Sequence, residues 1–251
     1  MIGLGTLVNV ATIIGGSAIG VLLGSRLPEK TNRTVTEALG LLTLVLAGLN
    51  LVSLTDKGFV TAAGQVGTFM IVIFAMLFGT ITGSLLGIER RLESFGGWLQ
   101  KRLSRGKTQS GEARERFITG YVDASLIFAI GPMAILGSIA DGTDHDPNTL
   151  IIKAILDGFA CIAFAASLGW GVAASSITVG LWQGLVTIVA AFAGAFIPGA
   201  MIAAITATGG VLMLAISLRL LNLKPIAVAD MLPALAFAPL LTWGVSAFFG
   251  N

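Results

Sequence analysis

The chain carries very little with which to do side-chain chemistry. Among its 251 residues there is one cysteine, Cys161, and one histidine, His145. A lone cysteine excludes an intramolecular disulfide, and Cys161 lies inside an apolar run, so it implies no redox compartment. A lone histidine in the polar stretch "ADGTDHDPNT" cannot build a histidine-cluster metal site, and it offers no serine partner for nucleophilic catalysis. There is no P-loop lysine motif and no His-Glu-x-x-His, so the sequence supplies neither ATP hydrolysis nor a zinc hydrolase, and it calls for no cofactor. An enzyme is therefore the function class that it supports least. Charge is scarce as well, at 11% of residues against 55% hydrophobic, with a mean hydropathy of +0.92. A water-soluble surface cannot be covered with that composition, so the protein is expected to be integral to a membrane.

What is abundant is apolar sequence in runs near the roughly 20 residues that cross about 30 Å of hydrocarbon. The fold class expected is an all-α polytopic membrane protein, one transmembrane domain over 1–251, with eight spans near 3–25, 37–54, 65–88, 118–140, 151–174, 176–197, 202–221 and 229–248. The first run lacks a basic start and a small-residue cleavage site, and reads as a retained span. With both termini outside, the inner loops take all but two of the fifteen lysines and arginines, leaving only Lys57 and Lys153 outside. Basic residues favour the cytoplasmic side, so this orientation in a bacterial inner membrane is the one expected. The acidic loop with Asp141, Asp144 and Asp146 then falls outside.

The inner loop 89–117 has an organisation of its own. In "IERRLESFGGWLQKRL" the apolar residues Ile88, Leu92, Phe95, Leu99 and Leu103 fall at helical spacing while basic residues fill the other face. That pattern predicts an amphipathic helix lying on the anionic inner leaflet. A partner-binding or gating helix is the functional alternative, and "SRGKTQSGEARER" after it reads as a flexible linker. Nucleic-acid binding has only this basic loop in its favour, and the orientation already explains the loop.

Glycine is the other abundant residue. Gly16, Gly20 and Gly24 in "GSAIGVLLG" and Gly79, Gly83 and Gly87 in "GTITGSLLG" share a four-residue spacing. Such stripes let a neighbouring backbone approach in lipid, either within one chain or across a homodimer. A further likeness joins "TEALGLLTLVLAGLNL" of the second span to "TATGGVLMLAISLRLLNL" of the seventh, which cross in opposite directions. An inverted repeat of the kind many transporters use would fit it, as would chance similarity of apolar segments.

An ionisable residue within a span costs several kcal/mol on insertion scales and needs a partner, a cavity or a role. Asp230 sits where it can cap the last span. Asp157 has Lys153 one turn before it, close enough for a local ion pair. Asp123 lies some 9 Å into its span at 1.5 Å per residue, either reaching back to water or serving a site. Asn9, Asn50, Gln65 and Gln183 are amides suited to interhelical hydrogen bonds. Gly131 and Pro132 interrupt "GYVDASLIFAIGPMAILGSIADG", where proline removes a backbone donor and kinks or breaks the helix. A broken helix at mid-membrane can aim carbonyls and a helix end at an ion or an anionic group.

Taken in order, "GTLVNVATIIGGSAIGVLLGSRLPE", "ASLIFAIGPMAILGSIADG", "KAILDGFACIAFAASLGWGVAAS", "QGLVTIVA" and "MLPALAFAPL" resemble the domain-of-unknown-function 554 family of bacterial multi-spanning membrane proteins over nearly the whole chain. The resemblance implies an inner-membrane protein with a role in transport and names no substrate. Asp123 stands where the family's pattern has a small or hydroxyl residue, which moves the emphasis to Asn9, Asp157 and Gln183. The leading expectation is a secondary transporter of a small solute or ion, coupled to protons or sodium, with Asp157, Asn9, Gln183 and Asp123 as the binding residues. A non-transporting scaffold and an oligomeric channel are the alternatives.

Overall fold

The computed structural model describes residues 2–25, 28–103, 111–193 and 198–249. Among them there is no strand. The helices are α1 (Leu4–Gly24), α2 (Glu29–Leu51), α3 (Lys57–Ala63), α4 (Gln65–Leu86), α5 (Ile88–Leu103), α6 (Gly111–Ala129), α7 (Pro132–Thr143), α8 (Asn148–Leu168), α9 (Gly171–Ala193), α10 (Gly199–Leu220) and α11 (Ala234–Phe249). The chain divides into two compact units, 1–39 with 92–195 and 40–91 with 196–251, and the division falls inside α2 and α5. Large apolar side chains such as Phe192 and Leu85 are exposed on the outside of these bundles, as a hydrocarbon solvent permits.

The first unit is built on α1 and α8. The glycine stripe of α1 lies against the backbone of α8: a side chain at Gly16, Gly20 or Gly24 would strike the carbonyl of Gly158, Ile162 or Ala166 in turn. The partner residues rise with the glycines, so the two helices are parallel. α9 runs the other way along α1, with Gly180 against Val10 and Gln183 bonded to Asn9. Close packing in a membrane comes from such small-residue contacts, because lipid tails compete with any larger apolar side chain.

Among the described residues, seven helices are long and apolar enough to cross a membrane, and α6 with α7 adds a pair bent by 61°. α9 decides how that pair runs. Gly171, where α9 begins, sits against Phe117 of α6, the Tyr121 hydroxyl lies 2.7 Å from that of Thr178, and Gly142 of α7 sits against Thr187 and Ala190. From Gly171 to Thr187 the rise is about 24 Å. The pair therefore follows α9 from end to end, the course expected of one broken span. The break has the cause expected from the sequence: α6 ends at Ala129, Gly131 is extended, and Pro132 opens α7 at a position where its missing N–H costs nothing.

Several segments depart from the expectation, among them α2, which starts at Glu29 and not at 37. Residues 111–116 belong to the start of α6 and are helical, while 104–110 of the expected linker lie outside the described residues. α9 starts at Gly171, five residues earlier than expected, and the end of that expected span at 194–197 lies outside the described residues. The amphipathic helix forms where it was expected, but it turns Gly96, Gly97 and Leu99 inward. Gly96 rests against the Tyr121 ring, while Phe95 and Trp98 stack on each other at 5.5 Å and stay largely exposed. Tryptophan in such a place suits the membrane–water interface.

The second unit packs α4 against α11 and α10 around Phe59, Ile71, Ala75, Ala203, Ala204 and Ala238. Gly79 and Gly83 admit the backbones of Ala234 and Asp230. Gly87 departs from the stripe: it caps α4 at φ 60°, its amide bonding back to Gly83 and Ser84, with nothing within 4 Å of a built Cβ. Apart from Gly87, both stripes are thus used inside the chain. The two similar stretches meet antiparallel here, Gly210 against Ala47 and the Ser217 hydroxyl donating to the Gly40 carbonyl at 2.7 Å. Asp230 accepts the Glu89 amide at 2.8 Å, so it caps α5 and not the last span. In return Glu89 accepts the Ala229 amide at 2.7 Å and the Arg219 guanidinium at 2.5 Å.

These contacts set a test of the packing. Gly20→Val forces a side chain into the α8 backbone and is expected to cost at least the about 1–3 kcal/mol of overpacking, read as a lower melting temperature in detergent. Gly15→Ala meets nothing within 4 Å and is expected to stay within about 0.5 kcal/mol of the parent.

Candidate functional site

The polar interior of the first unit is where the bundle holds groups that lipid cannot satisfy. α1 contributes Asn9, α8 contributes Lys153 and Asp157, and α9 contributes Gln183, all with at most 8% of their surface exposed. Asp157 and Gln183 fall at the midpoints of their helices, because α8 runs 148–168 and α9 runs 171–193. The Lys153 ammonium donates to the Asp157 carboxylate one turn on, and lies 5.9 Å from the centre of the Phe128 ring. The pair has no net charge, which is the form in which two ionised groups survive in a low-dielectric interior.

Asn9 stands between this pair and α9. Its amide nitrogen donates to Gln183 Oε1 at 3.0 Å, and its side chain also neighbours the Asp157 carboxyl. Asn9 Oδ1 and Gln183 Nε2 are left without a hydrogen-bond partner among the described residues. If both amides are turned over, the open atoms exchange, and one acceptor and one donor remain. An unmade hydrogen bond at a buried polar atom costs about 1–3 kcal/mol. Two of them inside a helix bundle form a place that a small polar ligand would satisfy.

The structure thus brings Asn9, Asp157 and Gln183 together on three helices. Asp123 is fully buried on α6, six residues before that helix ends at Ala129, so it does not reach back to water. Gly131 and Pro132 mark the break. Asp141 is the largest difference: it is not in an outer loop but in the last turn of α7, with no exposed surface, and its carboxylate accepts the Gly5 amide at 3.2 Å. Lys153, likewise expected outside, is buried in α8. Asn50 donates to the sulfur of Met213 in the second unit, an interhelical use, and Gln65 opens α4 on the surface.

The sequence reading passed over Thr6 and Thr187, whose hydroxyls are buried and without a partner among the described residues, and Ser17 and Ser125, which lie beside Cys161 and Tyr121. Hydroxyl residues are common in membrane helices, where they usually bond to the preceding turn, as Ser138 and Thr242 do here. The one available signal was the spacing of Thr6 to Asn9 and of Gln183 to Thr187, which puts each hydroxyl on the face of its amide.

The ion pair gives the next test. Asp157→Asn leaves the Lys153 charge buried without its partner and is expected to cost about 3–5 kcal/mol of stability. Lys153→Met with Asp157→Leu is expected to recover most of that loss in thermal melts, the coupling being the mark of a contacting pair.

The comparison with known proteins covers nearly the whole chain. Residues 4–243 match the family described as "Protein of unknown function (DUF554)". The chain is 29% identical over 246 residues to "Uncharacterized protein YqgA" of Escherichia coli strain K12, covering 98% of this chain and 99% of that protein. It is 26% identical over 246 residues to "Uncharacterized membrane protein YdfK" of Bacillus subtilis strain 168, covering 97% of each. No solved structure matches it. With seven helices long and apolar enough to cross a membrane and a bent pair that follows α9, its glycine-packed helices and a family match from the start of α1 into α11, the chain belongs to the DUF554 family of membrane proteins.

Proposed function

We propose that the protein is a secondary transporter of a small polar solute or ion, with its binding site in the first unit between α1, α8 and α9. One observation carries the reading: Asn9 and Gln183 hold an open acceptor and an open donor beside the Lys153–Asp157 pair, Gln183 and Asp157 at the middle of their helices and Asn9 in the second turn of α1. A scaffold gains nothing from leaving such atoms unmet, whereas a transporter must keep them free for its ligand. The broken span α6–α7 belongs to the same unit, and interrupted helices beside a midplane site are a recurrent device of alternating access. The exposed Phe95 and Trp98 of α5 serve as anchors at the interface. With the basic residues on the cytoplasmic side, both termini face outward from a bacterial inner membrane.

The test is uptake into proteoliposomes from a panel of labelled amino acids, small organic acids and polar neutral solutes, under sodium and proton gradients. Wild type is expected to accumulate one class. Gln183→Leu, with the melting profile of a folded protein, is expected to lose at least tenfold of that uptake. A Gln183→Leu protein that transports as wild type does would remove the site from the proposal.

A further inference from the structure

One turn from the Asn9–Gln183 pair lies a second set of buried atoms, and they are oxygens. Thr6 Oγ1, Asp141 Oδ1 and Thr187 Oγ1 have no hydrogen-bond partner among the described residues, and the three residues are exposed by 7%, 0% and 1%. The helix register assembles them. α1 and α9 are antiparallel with Asn9 bonded to Gln183, so Thr6, three residues earlier on α1, stands at the level of Thr187, four residues later on α9. Asp141 is held to the same level from both sides: its other oxygen accepts the amide of Gly5, next to Thr6, and Gly142 beside it is in contact with Thr187. The open amide oxygen of the Asn9–Gln183 pair closes the set from below.

From this convergence we infer that Thr6, Asp141, Thr187 and the amide oxygen of Asn9 form a binding site for a single sodium ion. One carboxylate, one amide oxygen and two hydroxyls are the ligands of a hard cation. The charge selects a monovalent one. Asp141 is the only carboxylate of the set, and the neighbouring Lys153–Asp157 pair is already neutral, so a divalent ion would leave an uncompensated charge in the bundle. Consistent with this, no group of three histidine, cysteine, aspartate or glutamate residues suited to a metal is found among the described residues. The last turn of α7, which carries Asp141, presents the negative end of its helix to the same place. As the coupling site of a transporter the assignment rests on the proposed function, while sodium binding is measurable without any flux.

The experiment is thermal unfolding of the purified full-length protein, stripped of sodium, titrated with sodium chloride against potassium and choline chloride at constant ionic strength. A cation bound only by the folded state raises the melting temperature by mass action. Sodium is expected to raise it saturably and potassium and choline are not. Asp141→Asn and Thr187→Val are each expected to raise the half-saturating sodium concentration at least tenfold, and Gly15→Ala, whose added methyl meets nothing within 4 Å, to leave it unchanged. If Asp141→Asn does not fold, Thr187→Val decides alone, being nearly isosteric. Equal responses to the three salts in wild type, or a Thr187→Val protein with the wild-type sodium response, would overturn the assignment. Solute uptake without a sodium shift removes this site and keeps the transporter; a sodium shift without uptake of any solute keeps the site and removes the transporter.

Discussion

Hydrocarbon offers no hydrogen bonds, and each polar group of this protein is placed according to that constraint. Helices satisfy the backbone. Between helices the lipid cancels most of the gain from apolar contact, and association then depends on how closely backbones approach. Gly16, Gly20 and Gly24 bring α1 onto the carbonyls of α8, and Gly79 and Gly83 bring α4 onto the segment before α11. With the bundles closed in this way, their interiors become the one region in the membrane where polar side chains can be kept.

The two units use that region differently. The second fills its core with Phe59, Ile71 and four alanines and holds a charged cluster in which Glu89, Asp230 and Arg219 satisfy one another and the backbone. In the first unit the interior carries an ion pair, an amide pair and several hydroxyls. Among the described residues, buried side-chain atoms of Thr6, Asn9, Asp141, Gln183 and Thr187 are left without a partner, and all five residues belong to it. A protein that needed only to be stable would have filled those positions with leucine or alanine.

Much of this was legible in the sequence. The apolar runs gave the helices, since 18 or more apolar residues have few other uses, and Gly131 with Pro132 marked the break because both residues weaken a helix by known means. Lys153 and Asp157, four residues apart, announced their contact. Asp141 was not legible: "ADGTDHDPNT" has the composition of a turn, and only the continuation of α7 to Thr143 carries this carboxylate inward. Gly87 illustrates the same limit, because spacing cannot tell a glycine that admits a neighbour from one that ends a helix at positive φ. Nor could periodicity separate Thr6 and Thr187 from hydroxyls that bond to their own helix, since that depends on which helices meet and in what register.

The glycines of α1 and the carbonyls of α8 share one spacing, four residues on each helix, or about 6 Å of rise. A displacement of α1 by one residue would bring Ser17 and Val21 to positions that accept only hydrogen. The two helices are thereby indexed like matched gear teeth and behave as one rigid strut. α9 has no such stripe against α1, and the hydrogen bond from Asn9 to Gln183 joins it to that strut by side chains instead of backbone contact.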